Sequence, residues 1–357
     1  MIVEKESQES QPRDWGMAYF WPAEYLPKLL PESIAGRLRE AQVNPWESAK
    51  DVETMAVVNV KTGGTIREDP SPGGGRVGRR ALRKLMSEQI EVKKATCSQG
   101  YPSLHPQTVR AECEGRHSLD ANLLIGADDG KSFSRATPLP FKMLNFNAKY
   151  PDDPYKARYI RDNLRPFADH GIHPMGVCFF KCLKGVRDPG DPRTWSFQVM
   201  ITYPPKFPVP DCVQEKSREQ NYAHDIIKIL HTYIAPHCAE PRRSALLWLW
   251  EEHTVIPKDT LQICSPKQWD NRSGRVTLVG DAAHAVSFYR GQSFNDCIRG
   301  AVSLVDQIVK IVNTVPEHRD KAREEHIGQY IGQYDAEVFD RARGGGGGGE
   351  EVKLSAE

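Results

Sequence analysis

The residues best suited to chemistry lie at 275–295, RVTLVGDAAHAVSFYRGQSFN. An apolar, β-branched run (Val276, Thr277, Leu278, Val279) leads straight into Gly280-Asp281. A small-residue turn follows (Ala282, Ala283, His284), then Arg290-Gly291-Gln292, Asn295 and an amphipathic helix from about Asp296. A strand that ends in Gly-Asp shortly before a helix puts a carboxylate and free backbone N–H groups on one side of a sheet. The carboxylate accepts hydrogen bonds from hydroxyls, and the helix N-terminus favours negative charge. The pair suits a polyhydroxylated, anionic cofactor. An ordinary buried strand whose aspartate caps the next helix would share the outline, but not the coincidence of so many specific positions.

A second stretch, ANLLIGADDGKSFSR at 121–135, has a related design. Leu123, Leu124 and Ile125 form an apolar strand that runs into Gly126-Ala127-Asp128, with Ser132 and Arg135 following. Gly130-Lys131-Ser132 looks like the end of a nucleotide-triphosphate loop. That reading fails on spacing, because its first glycine falls on Ile125, and on context, because Pro138 and Pro140 stand where the phosphate-binding helix should run.

Together these residues resemble the FAD-dependent aromatic hydroxylases, the group that includes para-hydroxybenzoate hydroxylase. That family carries G-D-A-A-H, a proline, then G-x-G-x-N and a helix. Gly280, Asp281, Ala282, Ala283, His284, Gly291 and Asn295 match, while Phe288, Ser293 and Gly300 replace a proline, a glycine and an aspartate. By the resemblance, Asp281 binds the ribitol chain of FAD, and Gly291 to Asn295 bring a helix N-terminus to the flavin pyrimidine. The 121–135 stretch is similar to the family's LLIGADG-x-x-S-x-V-R segment, which touches the flavin pyrophosphate and the NADPH path. This implicates Asp128. Asp129 and Ser134 depart from that pattern, and Asp129 adds a carboxylate where a glycine lets the backbone approach phosphate.

The family opens with a strand, a G-x-G-x-x-G turn and a helix that cradle the pyrophosphate. This chain begins MIVEKES, similar to the end of the family's second strand, which makes Glu4 the candidate for the adenosine ribose. A literal G-x-G-x-x-G at Gly73, Gly75 and Gly78 follows Pro70 and Pro72, so it is expected to be a loop into a helix. That helix, RRALRKLM from Arg79, resembles the hydroxylases' R-x-x-L segment, whose arginine reaches toward the flavin; Arg79 joins the candidate site. Stretches 11–34 and 58–68 resemble a fungal, secondary-metabolite branch, in which such segments run around the substrate.

The elements that must position these residues are legible from punctuation and period. MGVCFFKCL (175–183) and WSFQVMITY (195–203) read as strands joined through PGDP (189–192), and HDIIKILHTYI (224–234) as a helix packed on their sheet. His173, His224 and His231 have no fixed partner and are expected to be packed or surface histidines rather than acid–base groups. The helix from Asp296 is expected to bury Ile298, Ala301, Val302, Val305, Ile308, Val309 and Val312 on one face. A charged helical pattern covers 317–343, and six glycines follow at 344–349.

Composition excludes several classes. A formal net charge of +1 provides no electrostatic case for nucleic acid or an acidic membrane surface, and no apolar run approaches a membrane span. No signal-peptide pattern opens the chain. The 8 cysteines lack a CxxC pair; Cys178 and Cys182 suit strand alternation better than zinc, and all are expected to be reduced thiols in an intracellular, cytoplasmic protein.

The expected fold is α/β: an N-terminally truncated, Rossmann-like FAD/NAD(P)-binding domain (1–140 with 265–343), an inserted β-rich substrate domain (141–264) and a glycine-rich tail (344–357). The resemblance implies an FAD-dependent monooxygenase that uses NAD(P)H and molecular oxygen. Through a flavin hydroperoxide it would hydroxylate or epoxidise a small hydrophobic or aromatic molecule of fungal secondary metabolism. The cofactor carries that step, so no catalytic side chain is named. The alternative is a non-catalytic remnant or gene-model fragment of such a flavoprotein, serving at most as a binding module.

Overall fold

The computed structural model describes residues 1–4, 14–20, 23–47, 52–72, 74–94, 103–105, 108–113, 117–127, 137–163, 169–205, 207, 222–251, 254–255, 261–263, 266–284, 291–314 and 320–343. The chain packs as two compact units. One comprises residues 1–7, 90–138 and 262–357, the other residues 8–89 and 139–261.

The second unit is built on a seven-stranded sheet. Its order is Thr254–Val255, Lys142–Lys149, Ser196–Tyr203, Cys178–Gly185, Asp169–Ile172, Val52–Asn59 and Thr65–Pro72. Every pairing is antiparallel except that of Val52–Asn59 with Asp169–Ile172, which is parallel. That pairing is why residues 8–89, grouped by the sequence reading with the cofactor domain, pack with 139–261. The period-2 pattern sets the faces. In Lys142–Lys149, Leu144, Phe146 and Ala148 are buried and stand opposite Ile201, Val199 and Phe197 of Ser196–Tyr203. Against this apolar face pack Ala157 and Ile160 of the helix Pro154–Asn163, and Ile226, Ile229 and Leu230 from 222–234. The expected strands and the helix covering them are therefore present, the latter as an α-helix Tyr222–Ile229 that widens into a π-turn at Leu230–Ile234.

Residues 74–78 differ from the expected loop. Gly75–Gly78 is a strand, antiparallel to Gly16–Tyr19, and passes directly into the helix Arg79–Ser87. Pro70 and Pro72 lie within the strand Thr65–Pro72, which tolerates them because it is an edge of the sheet and needs hydrogen-bond donors on one side only.

The first unit holds the two chemistry-bearing strands. Leu124–Gly126 and Val276–Leu278 pair in parallel, with Gly126 opposite Leu278. Ile2–Glu4 pairs in parallel with Val92–Lys94, and three short strands (Ser103–His105, Thr108–Cys113, His117–Ala121) form an antiparallel sheet. Two long helices, Ser293–Thr314 and Asp320–Arg343, supply most of its core. Leu304 packs there with Leu278, Ile327, Ile331, Tyr334 and Val338, and Ile308 and Ile311 lie against the cluster. Of the expected buried face, Ile298 is buried and Ile308 lies against the cluster, but Leu304 and Ile311 take the places expected for Val305, Val309 and Val312. Val305, Val309 and Val312 are exposed at 45%, 49% and 71%. Positions 304, 308 and 311 have the same helical spacing but sit about 100° further round, and they meet the last helix.

Candidate functional site

The two motifs that the sequence keeps far apart meet in the first unit. Because Leu124–Gly126 and Val276–Leu278 run in parallel, Gly126 and the Gly280-Asp281 turn leave the sheet at the same, carboxyl-terminal end; Val279 N–H donates to the Gly126 carbonyl at 2.9 Å. Carboxyl ends of parallel strands are where α/β folds hold ligands.

Gly280 turns the chain with φ +63°, a conformation that side-chain-bearing residues rarely adopt, and a Cβ there would stand 3.2 Å from the Cys297 sulfur. The short helix Asp281–His284 follows, with Ala282, Ala283 and His284 buried. Half-buried Asp281 is pinned by a residue twelve positions on: the Ser293 hydroxyl donates to its Oδ1 at 2.6 Å. Ser293 opens the helix Ser293–Thr314, so carboxylate and helix N-terminus are tied together. Asn295, fully buried, donates from Nδ2 to the Gly291 carbonyl at 2.7 Å and holds Gly291 at φ +59°. Burial pushes the His284 imidazole below its usual range and so favours its neutral form; it also drives the Cys297 thiol up to about 11, helped by Asp281 and Asp296.

The last helix steadies this strand. Thr277 Oγ1 donates to Asp335 Oδ1 at 2.5 Å, Asn271 Nδ2 donates to Asp335 Oδ2 at 2.8 Å, and the Tyr334 hydroxyl donates to the Leu278 carbonyl at 2.9 Å. Sequence reading missed this latch, because a lone aspartate in a highly charged helix gives no signal of its partners on a distant strand.

The candidate residues are placed as follows. Asp281, Gly291 and Asn295 are brought together. Glu4 ends the strand Ile2–Glu4, opposite Lys94. Asp128 lies outside the described residues, as do Asp129, Ser132, Arg135, Phe288 and Arg290. Arg79 belongs to the second unit, where it begins the helix Arg79–Ser87 and its guanidinium stacks 4.9 Å from the Trp15 ring. Each of the three histidines has a partner. His173 Nδ1 accepts from the Met175 N–H, His224 pairs with Glu251 at the surface, and His231 Nε2 meets the Leu246 carbonyl.

The seven-stranded sheet contributes a second surface, on the face opposite its apolar core. Gln198 and Asn145 hydrogen-bond there, Gln198 also accepts from the Gly16 N–H at 3.0 Å, and Arg76 donates to the Gly16 carbonyl at 2.9 Å. Phe180 lies beneath His170, ring to ring at 4.9 Å, and the Arg76 guanidinium lies 5.8 Å from the Phe180 ring. Burial, with Arg76 adding to it, lowers the His170 pKa to about 4, so this surface is neutral at that position at ordinary pH. Alternating asparagines in KMLNFNAK were the available signal for a polar second face.

Comparison with known proteins decides the kinship. A FAD-dependent monooxygenase of Penicillium herquei, phnB, is 25% identical over 98% of this chain and 82% of its own length. The FAD-dependent monooxygenase dbaB of Emericella nidulans is 27% identical over 83% of this chain and 77% of its own. The chain is a relative of the fungal FAD-dependent monooxygenases. Solved structures agree on the fold. 2,6-Dihydroxypyridine-3-hydroxylase from Arthrobacter nicotinovorans superposes with a TM-score of 0.66 at 14% identity, over 99% of this chain and 88% of that one. Klebsiella pneumoniae HpxO, solved with FAD and uric acid, gives 0.63 at 17% identity, over 96% and 78%. No protein-family model matches the chain. The α/β flavin-hydroxylase fold expected from the motifs is thus present.

The donor set fits the cofactor of these relatives. A ribityl chain would need a fixed carboxylate acceptor beside backbone N–H donors; Asp281 offers the first and the start of the Ser293–Thr314 helix, to which it is tethered, the second. Among the described residues no helix is long and apolar enough to cross a membrane.

Proposed function

We propose that the chain is an FAD-dependent monooxygenase that uses NAD(P)H and molecular oxygen to hydroxylate or epoxidise a small aromatic or hydrophobic molecule of secondary metabolism. The carrying observation is the parallel pairing of Leu124–Gly126 with Val276–Leu278, which sets both flavin motifs at one end of one sheet. Kinship with fungal monooxygenases over nearly the whole chain favours an enzyme over a remnant.

Bound FAD supplies the redox and oxygen chemistry. Asp281 accepts hydrogen bonds from the ribityl hydroxyls. The first turn of Ser293–Thr314 offers its N–H groups to the negative charge of the reduced ring. Asn295 keeps the Gly291 turn open by holding its carbonyl. We assign Glu4 to the adenosine ribose, Asp128 to the pyrophosphate segment and Arg79 to the flavin edge. The polar face of the seven-stranded sheet, with Arg76, His170, Phe180 and Gln198, is assigned to the substrate. Uric acid beside FAD in HpxO, and the dihydroxypyridine in the name of the Arthrobacter hydroxylase, support a planar, electron-rich substrate.

The test has two parts. Titration of the purified chain with FAD should give saturable quenching of flavin fluorescence. Hydroxylated aromatics and heterocycles, uric acid and 2,6-dihydroxypyridine among them, should then accelerate NADPH or NADH oxidation. Heavy-isotope oxygen gas should label the product. Absence of FAD binding, or nicotinamide oxidation that yields only hydrogen peroxide with every compound, would count against this reading.

A further inference from the structure

We infer that Ser293 is a positioning residue for the cofactor: its hydroxyl holds the Asp281 carboxylate in the orientation that receives the ribityl hydroxyls. This inference rests on the flavin reading above and deepens it.

Three observations carry it. First, the Ser293 Oγ to Asp281 Oδ1 distance of 2.6 Å is that of a short, charge-assisted hydrogen bond. Second, both partners open helices, Asp281 that of Asp281–His284 and Ser293 that of Ser293–Thr314. The bond therefore fixes the end of one strand-turn segment to the N-terminus of the next. Third, that N-terminus is itself held, by Asn295 on the Gly291 carbonyl and by Asp296 N–H on the Gln292 carbonyl at 2.7 Å. The serine is thus anchored on the side away from the carboxylate. A carboxylate held before binding does not have to be ordered by the ligand, which is a direct gain in affinity.

Ser293 stands where the resemblance pattern has glycine, and a glycine cannot make this bond. Two consequences of the change have opposite signs. If the side chain obstructs close approach of the cofactor, removing it improves binding. If it positions Asp281, removing it weakens binding. A hydroxyl that donates to Asp281 also keeps lone pairs for a second hydroxyl donor, so the serine can extend the acceptor set.

The experiment is a set of FAD titrations on the full chain, read by flavin fluorescence and by the fine structure of the bound-flavin visible spectrum. Thermal melting establishes that each variant is folded. Ser293→Ala and Ser293→Gly should each weaken FAD about ten-fold, equivalent to ~1.4 kcal/mol, and blur the bound spectrum. Ser293→Thr keeps the hydroxyl and should stay within about two-fold of the unaltered protein. In an Asp281→Ala background, Ser293→Ala should change nothing further. Equal or tighter FAD binding by Ser293→Gly overturns the inference, as does an undiminished effect of Ser293→Ala when Asp281 is already gone. Failure of the flavin reading looks different: the unaltered chain does not bind FAD, or Asp281→Ala binds it equally well, and the role of Ser293 then falls with it.

Discussion

At the scale of single residues, Asp281 bears the greatest weight. Its carboxylate is the acceptor that the Gly280 turn and Ser293 together aim, and a hydrogen bond to a charged group contributes on the order of 1.5–3 kcal/mol. Asp281→Ala should therefore lower FAD affinity about ten-fold or more, measured by fluorescence titration on a variant that thermal melting shows to be folded. An unaltered affinity in a folded variant would remove this residue from the cofactor site. His284 illustrates the contrary lesson. It belongs to the same motif, yet it is buried beneath the turn and burial disfavours its protonated form.

At the scale of elements, the two long helices of the first unit hold the site strand from behind. Asp335 is acceptor to both Thr277 and Asn271, so Asp335→Ala strands two donors at once. Each buried donor left unpaired costs about 1–3 kcal/mol. We expect a marked drop in the denaturation midpoint, together with weaker FAD binding because the Val276–Leu278 strand loses its tether. A midpoint equal to that of the unaltered protein would show the latch to be idle. The same helix pair contains a mismatch. Arg341 has only 9% of its side chain exposed; its Nε stands 3.5 Å from Glu337 Oε1, but its Nη1 and Nη2 find no hydrogen-bond partner among the described residues. A Cβ at Gly300 would lie 3.6 Å from Nη2. Gly300→Asp would thus bring a carboxylate within reach of the guanidinium and also remove a helical glycine. We expect stabilisation of about 1–3 kcal/mol in urea unfolding; destabilisation would mean that Arg341 is satisfied by another route.

At the scale of the whole molecule, one buried amine makes stability depend on pH. Lys181 projects onto the apolar face of the seven-stranded sheet, its Nζ 4.9 Å from the Phe197 ring and 5.8 Å from the Tyr150 ring, without a hydrogen-bond partner among the described residues. Asp169 stands opposite it in register but is paired with Arg242. Burial lowers the lysine from 10.5 to about 7; Asp169 and Cys182 oppose the shift and Arg242 adds to it. The folded state therefore binds fewer protons than the unfolded chain between those two values. Stability should rise with pH across that window, on the order of 1 kcal/mol per pH unit, and the penalty should be complete below about pH 7. Lys181→Met should be more stable than the unaltered protein near neutral pH, with that slope removed. Chemical denaturation at a series of pH values checks it, and parallel pH profiles for the two proteins would sink the idea.

Sequence alone determined what depends on neighbours within a few residues. Gly280-Asp281 after a β-branched run, the strands at 175–183 and 195–203 and the helical period of 224–234 each follow from backbone geometry and turn chemistry that act locally, and each recurs in the structure. The tertiary structure alone decided what depends on partners distant along the chain. Strand pairing joined Leu124–Gly126 to Val276–Leu278, and joined Val52–Asn59 to Asp169–Ile172, so residues 8–89 pack with the large sheet. Helical spacing picked out Ile298 and Ile308 but could not choose Leu304 and Ile311 over their exposed neighbours Val305 and Val312, because both sets are apolar and only the last helix breaks the tie. Nor could any local pattern show that Lys181 would be buried or that Asp335 would be half-buried against the site strand. Burial is a property of what packs over a residue, and a charged side chain states its preference for water without recording where the rest of the chain will place it.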